Sequence, residues 1–415
     1  MNRVRQILKW SEQYTKTDMT YLAKGGSWLF GSQIINFALA FTQLWIFANL
    51  LPKEVYGQYR FLLTALSILS ITALPGMGIA LTRAVANQSH QTIWSALKAR
   101  MRWGLIGTVI GLLGAGYYLI AGDTTLSLLF LALAIFIPLL DSAAIYSDYL
   151  NGHKDFKRMA LYHTGQRIFS VTAVSLAVIY SGSLTTILIT YLVSMSLSFW
   201  VCLWRSTRTY PTIDTPVDTD AIPYGKKLSL LSALRTGVTH LDKIILWYLA
   251  GPIQVAQLVI AYALPNEMLA AANHISKLAL PKLSTRTPAE LRKTLLRKVL
   301  IVTATMIIFV GIYSLLAPVL FTVLLPQYTD TIFFSQIASL LVLVAPITLL
   351  TQYFYVTANT KTLFIIQSIE PIVLVILYLI LIPLFGVIGA ITASLVRHIF
   401  TGAIVTILFL RDRGK

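Results

Sequence analysis

Charged side chains sit inside apolar stretches long enough to cross a bilayer, among them Arg167, Arg235, Asp242, Lys243, Glu267, Glu370 and Arg397. On insertion scales an ionised group at the centre of a membrane helix costs about 2.5–3.5 kcal/mol, so such residues pair with one another or face a wet path for an ion or a charged solute. Arg235 and Asp242 are seven apart. On a helix that places them on one face, two turns apart, with Thr239 and His240 between them, and the resulting polar stripe cannot face lipid. Lys243 points about 100° away from Asp242 and is expected to reach a different partner or to snorkel outward. Glu370, just before Pro371, and Arg397 lie at similar depth in the last two apolar runs and either neutralise each other or serve a solute. Glu267, beside Pro265 and Asn266, is costly unless it pairs with a Lys or Arg or binds H+ or Na+. Arg167, with His163 one turn away, is placed either to snorkel to the interface or to touch a solute. Arg60 and Arg83 close the second apolar run at its two ends, where headgroup contact competes with capture of an anionic lipid. Asp141 and Asp148, again seven apart, form a one-sided acidic pair that calls for neighbouring Arg or Lys.

Other chemistries find no foothold. The chain has no phosphate-cradling glycine loop, no His/Cys cluster with metal spacing and no nucleophile motif, so neither a cofactor, a metal nor enzymatic activity is expected. Cys202 is the single cysteine and excludes an internal disulfide. Gly76 and Gly78 in LPGMGIA read as sites of close helix packing rather than phosphate binding.

The elements that must hold these residues are membrane spans. With 56% hydrophobic and 12% charged residues, the chain carries more apolar surface than one soluble core can bury. About twelve apolar runs are expected as helices near 26–50, 59–82, 103–121, 125–147, 160–180, 184–204, 227–250, 254–279, 299–323, 332–356, 362–383 and 387–410. Of the 33 Lys and Arg, 27 fall in or beside alternate gaps, counted with the N-terminal segment. The positive-inside rule then puts both termini in the cytoplasm and leaves only Lys53 and Arg60 at outward gaps. The net charge of +17 therefore addresses anionic lipid headgroups, not nucleic acid. Residues 1–25 lack a signal-peptide apolar core and are expected to form a cytoplasmic amphipathic segment. The stretch STRTPAELRKTLLRKVL is expected as a basic surface helix capped by Thr287, with Pro288 and Glu290 in its first turn. Tyr146, Tyr149, Tyr162, Tyr353 and Tyr355 are expected as interfacial anchors, or as stacking platforms for sugars.

A polar, proline-rich linker at 206–226 divides the chain into an N-terminal six-helix lobe, 26–205, and a C-terminal one, 227–410, followed by a tail at 411–415. The lobes resemble each other: NLLPKEVYGQYRF follows the first span and YLAGPIQVAQLVI the seventh, consistent with a parallel repeat. The outward gaps are short and leave no room for a catalytic domain.

The stretch GGSWLFGSQIINFALAFTQLWIFANLLPKEVYGQYRFLLTALSILSITALPGMGIALTRAVAN resembles the start of the polysaccharide-type flippases, the O-antigen and capsule repeat-unit translocases of the multidrug/oligosaccharidyl-lipid/polysaccharide exporter superfamily. HLDKIILWYLAG and GPIQVAQLVIAYALPNEM fit the start of their second half. Val255-Ala256-Gln257 stands where such proteins often carry Gly-x-Tyr, so that turn is expected to pack differently. The resemblance implies an all-α bacterial inner-membrane protein of about twelve transmembrane helices in two lobes around a central cavity. It also implies a substrate of undecaprenyl-diphosphate-linked oligosaccharide, moved to the outer leaflet for O-antigen, capsule or exopolysaccharide synthesis, with a polymerase and a chain-length protein as partners. On that reading Arg235, Arg397, Arg167, Arg83 and Arg60 contact the diphosphate or acidic sugars, and Asp242, Glu267 and Glu370 couple transport to H+ or Na+, or act as gating ion pairs. A multidrug-type exporter of the same superfamily and a non-transport membrane component of polysaccharide assembly stay open as alternatives.

Overall fold

A computed structural model describes residues 19–212, 215–284, 288–356 and 360–411. Among these residues the fold is all-α, with no strand. The first unit's helices are α1 (Met19–Leu50), α2 (Lys53–Leu69), α3 (Met77–Ala86), α4 (Thr92–Ile120), α5 (Thr124–Ala143), α6 (Tyr146–Gly152), α7 (Phe156–Tyr180) and α8 (Leu184–Thr209), although the opening of α2 belongs elsewhere, as described below. They are followed by α9 (Ala221–Ala250), α10 (Pro252–Ser284), α11 (Pro288–Leu324), α12 (Ile332–Ser339), α13 (Thr348–Val356) and α14 (Thr360–Arg411). Tight 3-10 turns link α2 to α3, α11 to α12 and α12 to α13.

Local sequence sets the ends. Asp123, Asp155 and Ser183 cap α5, α7 and α8 by accepting the backbone N–H of Leu126, Arg158 and Thr186. Within the second span the chain breaks at Leu74-Pro75-Gly76: Leu74 is left-handed (φ 56°), and α2 with its 3-10 turn meets α3 at a bend of 51°. Gly386 (φ 57°, ψ −126°) interrupts the 52-residue α14 and separates the two last expected spans, a backbone conformation only glycine adopts without strain.

Among the described residues seven helices are long and apolar enough to cross a membrane, or eight when the bent second span is counted. The run Ser368–Arg411 contains two of the expected spans, and α7, α9 and α10 are the expected spans that carry Arg167, Arg235 to Lys243, and Glu267. The protein is a multi-pass membrane protein. Two sequence expectations are corrected. The basic segment at 288–298 forms the first turns of the unbroken α11, not a separate surface helix, and its proposed cap Thr287 lies outside the described residues. Tyr146, Tyr149 and Tyr353 are core residues, not interfacial anchors. Residues 1–18 and 412–415 lie outside the described residues, while Met19–Lys24 already belong to α1.

The chain divides into two compact units, Met1–Leu50 with Ala65–Thr236, and Leu51–Thr64 with Gly237–Lys415. The boundaries fall inside α2 and α9, not at the polar linker. In the first unit α3, α4, α6 and the start of α9 share a core with Met77, Leu81, Ile93, Tyr146 and Tyr149. Gly225 of α9 approaches Met77, and the Gly76 N–H donates to Ser229 Oγ at 3.0 Å. The second unit has one core around Leu246, Leu258, Tyr378 and Ile391 and another around Leu350, Tyr353, Phe354 and Phe409. Its share of α2 is held by backbone proximity: a Cβ on Gly57 would lie 1.9 Å from the Pro252 carbonyl oxygen, and Phe61 stacks on Trp247 at 4.0 Å.

Candidate functional site

The second unit gathers most of the interior charges the sequence singles out. Asp242 on α9 is buried, 4% exposed, and Lys243 Nζ donates to both its oxygens at 3.0 and 3.1 Å. This corrects the expectation that Lys243 reaches elsewhere: its four-carbon stem folds back along the helix to the preceding carboxylate. Across from it, α14 supplies Glu370 and Arg397, which form an ion pair, and Arg397 also contacts His398 Nε2. Arg397 is 16% exposed and Glu370 34%, so the carboxylate is the accessible partner.

Between these two pairs lies a set of hydroxyl groups for which the sequence offers no signal. Ser394 of α14 is bonded at 3.2 Å to both Tyr262 of α10 and Tyr378 of α14. Asp242 and Arg397 both act electrostatically on these two tyrosines. Arg60, from the part of α2 that belongs to this unit, acts with Lys243 on His240. Arg60 is therefore coupled to the polar stripe of α9. Glu267 stands apart: it is exposed, and no ion pair to it is found among the described residues. Arg235 lies in α9, with its side chain outside the described residues.

Arg167 and Arg83 belong to the first unit and are far from one another in the fold's connectivity. Arg167 on α7 is partly exposed and donates to Gln43 Oε1 of α1 at 3.4 Å. Arg83 near the end of α3 is exposed, with its guanidinium over the Tyr224 ring at 5.4 Å. The cation the sequence misses is Arg100. Read as a gap residue, it is instead buried in α4, where Asp141 and Asp148 act on it. The unpartnered acidic pair was the available signal.

The ends of the spans are also joined within each unit. Lys53, Gln257 and Asp330 come from three gaps assigned to one side, and both Lys53 and Gln257 donate to Asp330 Oδ2, at 2.7 and 2.8 Å. Thus Gln257, where the repeat departs from its expected pattern, ties α10 to the turn before α12. In the first unit the rings of His90, His153 and Tyr210 stack in succession, with centroids 4.5 and 3.9 Å apart. Tyr149 donates to the Tyr210 carbonyl at 2.8 Å, and the Tyr210 hydroxyl donates to Asp155 at 2.9 Å. Trp94 Nε1 donates to Thr212 Oγ1 at 3.1 Å, and the Asp218 N–H to Thr92 Oγ1 at 2.9 Å. The first half of the linker is strapped to the first unit.

Two measurements check this geometry. Removing one member of a partly buried ion pair strands the other charge, whereas replacing both by apolar groups is far milder. Glu370→Met and Arg397→Met should each lower the thermal unfolding midpoint in detergent by several degrees, and the double variant should recover most of the loss. Additive losses would contradict the pairing. In the strap, burial and then the neighbouring His90 push His153 down to about 4, against the pull of Asp155. The imidazole binds protons more readily unfolded, at its ordinary 6.5, than folded, so the strap's stability is intact above that value and falls as pH drops toward 4. Lys154, Arg158 and Tyr210 also adjoin the stack. Hydrogen-exchange protection over residues 209–220, corrected for intrinsic rates, should fall between about pH 7 and about pH 5, and His153→Phe should abolish that dependence.

A family model described as polysaccharide biosynthesis protein matches residues 22–284. Among curated proteins none matches the chain significantly by sequence. Among solved structures the chain is similar to the Lipid II flippase MurJ in an inward closed conformation, with TM-score 0.66 and 16% identity over 92% of this chain and 87% of that one. It is also similar to an inward-facing multidrug resistance MATE family transporter of the MOP superfamily, with TM-score 0.59 and 15% identity over 91% of this chain and 96% of the other. A MOP superfamily transporter from Pyrococcus furiosus, described as having a binding pocket of reverse polarity, matches with TM-score 0.51 and 15% identity over 94% and 95% of the two chains. Identities this low establish the fold they share, and that fold is the one drawn here helix by helix. With more than half its length covered by the family model, the chain belongs to the polysaccharide biosynthesis protein family and has the fold of the MOP superfamily transporters.

Proposed function

We propose that the protein is a flippase that carries undecaprenyl-diphosphate-linked oligosaccharide repeat units from the cytoplasmic to the outer leaflet by alternating access. A diphosphate cannot enter about 30 Å of hydrocarbon without compensating cations and a wet path for the attached sugars, while the polyprenyl tail stays in lipid. The observation that carries the reading is the Arg397–Glu370 pair: a guanidinium well inside a membrane span, held by a carboxylate that is 34% exposed and so replaceable by a phosphate. Arg60, Arg235, Arg167 and Arg83 are the further cations for the diphosphate or for acidic sugars. Asp242, Glu267 and Glu370 are the groups for H+ or Na+ exchange. The proposed setting is the bacterial inner membrane with both termini cytoplasmic, beside a polymerase and a chain-length protein.

The likeness to MATE transporters supports a second reading, export of cationic drugs. Such a pore needs unpaired carboxylates, and here Asp242 and Glu370 are both engaged by cations. Loss of drug resistance in a deletion strain with normal surface polysaccharide would favour that second reading.

Arg397→Ala and Arg235→Ala should each reduce surface polysaccharide by at least about tenfold, the factor that corresponds to 1.4 kcal/mol, while the variant proteins insert in the membrane at wild-type levels. Undiminished polymer in both variants would remove these two arginines from the mechanism.

A further inference from the structure

The first unit holds a set of buried charges that the flippase reading leaves unused. Arg100, in the third turn of α4, is 8% exposed, and its Nε is shut off from solvent with no hydrogen-bond partner. The acids acting on it come from two other helices, Asp141 near the end of α5 and Asp148 in α6. Ser70, in the 3-10 turn of the broken second span, acts on Asp141, whose Oδ2 is enclosed without a partner. Asp148 rests on α3: a Cβ on Gly78 would lie 2.3 Å from its Oδ2, and Thr82 Oγ1, one turn on, donates to its backbone carbonyl at 3.1 Å. Gly78 is the second residue of α3, so this carboxylate sits at a helix start whose free N–H groups and dipole favour negative charge. The absence of a side chain at Gly78 is what admits it.

The charges in this cluster do not balance. One guanidinium and a helix N-terminus, equivalent to about half a positive charge, face two carboxylates. Among the described residues no other cation acts on either acid. Lys98 and Arg102, the neighbours of Arg100 on α4, are exposed, and Arg83 on α3 is exposed over Tyr224. The Tyr146 hydroxyl on α6 is committed to Gln166 at 3.0 Å. An uncompensated carboxylate enclosed in a membrane protein costs more than its protonation. Of the two acids, Asp148 has the helix start, and Asp141 has the oxygen without a partner.

We infer that Asp141 holds one bound proton on its enclosed Oδ2 while Asp148 stays ionised at the start of α3, so that the first unit carries a proton-exchange site separate from the acids of the second unit. Loading forms one O–H bond at Asp141 with a proton taken from water. Release returns that proton to water and leaves two carboxylates around Arg100. The charge state of the cluster then bears on how α3, α4, α5 and α6 are held together, since each contributes one of its groups. The site stands whether or not the transported solute is a lipid-linked oligosaccharide.

The test is infrared spectroscopy of the full chain in lipid nanodiscs, titrated around neutral pH, reading the C=O stretch of protonated carboxylic acids and its shift in D2O. The wild type should show a protonated acid that disappears in Asp141→Asn and equally in Asp148→Asn, because either change leaves one carboxylate for one guanidinium. Arg100→Gln should add a second protonated acid. Both Asn variants relieve excess negative charge and keep the packing, so each is expected to fold. A spectrum with no such band, or a band unchanged in both Asn variants, overturns the assignment.

Discussion

Hydrocarbon offers a charged side chain neither water nor dipoles, so each ionised group in a span must find compensation inside the protein. That constraint organises both units. In the second, Lys243 closes on Asp242 and Glu370 on Arg397, with Tyr262, Ser394 and Tyr378 filling the space between as hydrogen-bonding hydroxyls. In the first, Arg100 lies among Asp141, Asp148 and the start of α3. Apolar runs long enough to span carry Arg100, Asp141, Asp148, Glu370 and Arg397, so in these helices the charges are tolerated within otherwise apolar segments.

The same constraint explains how the chain uses its breaks. The bend at Leu74-Pro75-Gly76 frees backbone groups, and one of them, the Gly76 N–H, is taken up by the Ser229 hydroxyl. Gly386 divides α14 where Gln254 presses against it. The turns are bound rather than loose: in the second unit Asp330 collects Lys53 and Gln257, and in the first the His90–His153–Tyr210 stack fixes the linker. Consequently the two units meet along the chain inside α2 and α9, and the polar linker travels with the first.

Hydropathy and the alternation of Lys and Arg made the spans legible in the sequence, because both follow from bilayer thickness and lipid charge. The Glu370–Arg397 pair was legible as a match of depth in adjacent spans. The Asp242–Lys243 pair was not, since neighbouring positions on a helix do not face each other and only the length of the lysine stem brings them together. Arg100 was hidden by a boundary: α4 begins at Thr92, well before Trp103 where the apolar run becomes evident, and the intervening turns are buried by protein rather than lipid. The tyrosine–serine core was illegible for another reason. Tyr262, Tyr378 and Ser394 are ordinary residues on different helices or distant turns, and only tertiary packing makes a site of them.

If buried cations serve to compensate a lipid diphosphate in transit, charge on the headgroup is what the protein must recognise. The most direct measurement is flipping in proteoliposomes of purified protein, comparing a fluorescent polyprenyl-diphosphate oligosaccharide with the same lipid lacking the diphosphate. The account predicts transbilayer movement of the diphosphate-linked lipid well above protein-free vesicles and little movement of the neutral one. Equal rates for the two lipids, or no protein-dependent movement of either, would contradict it.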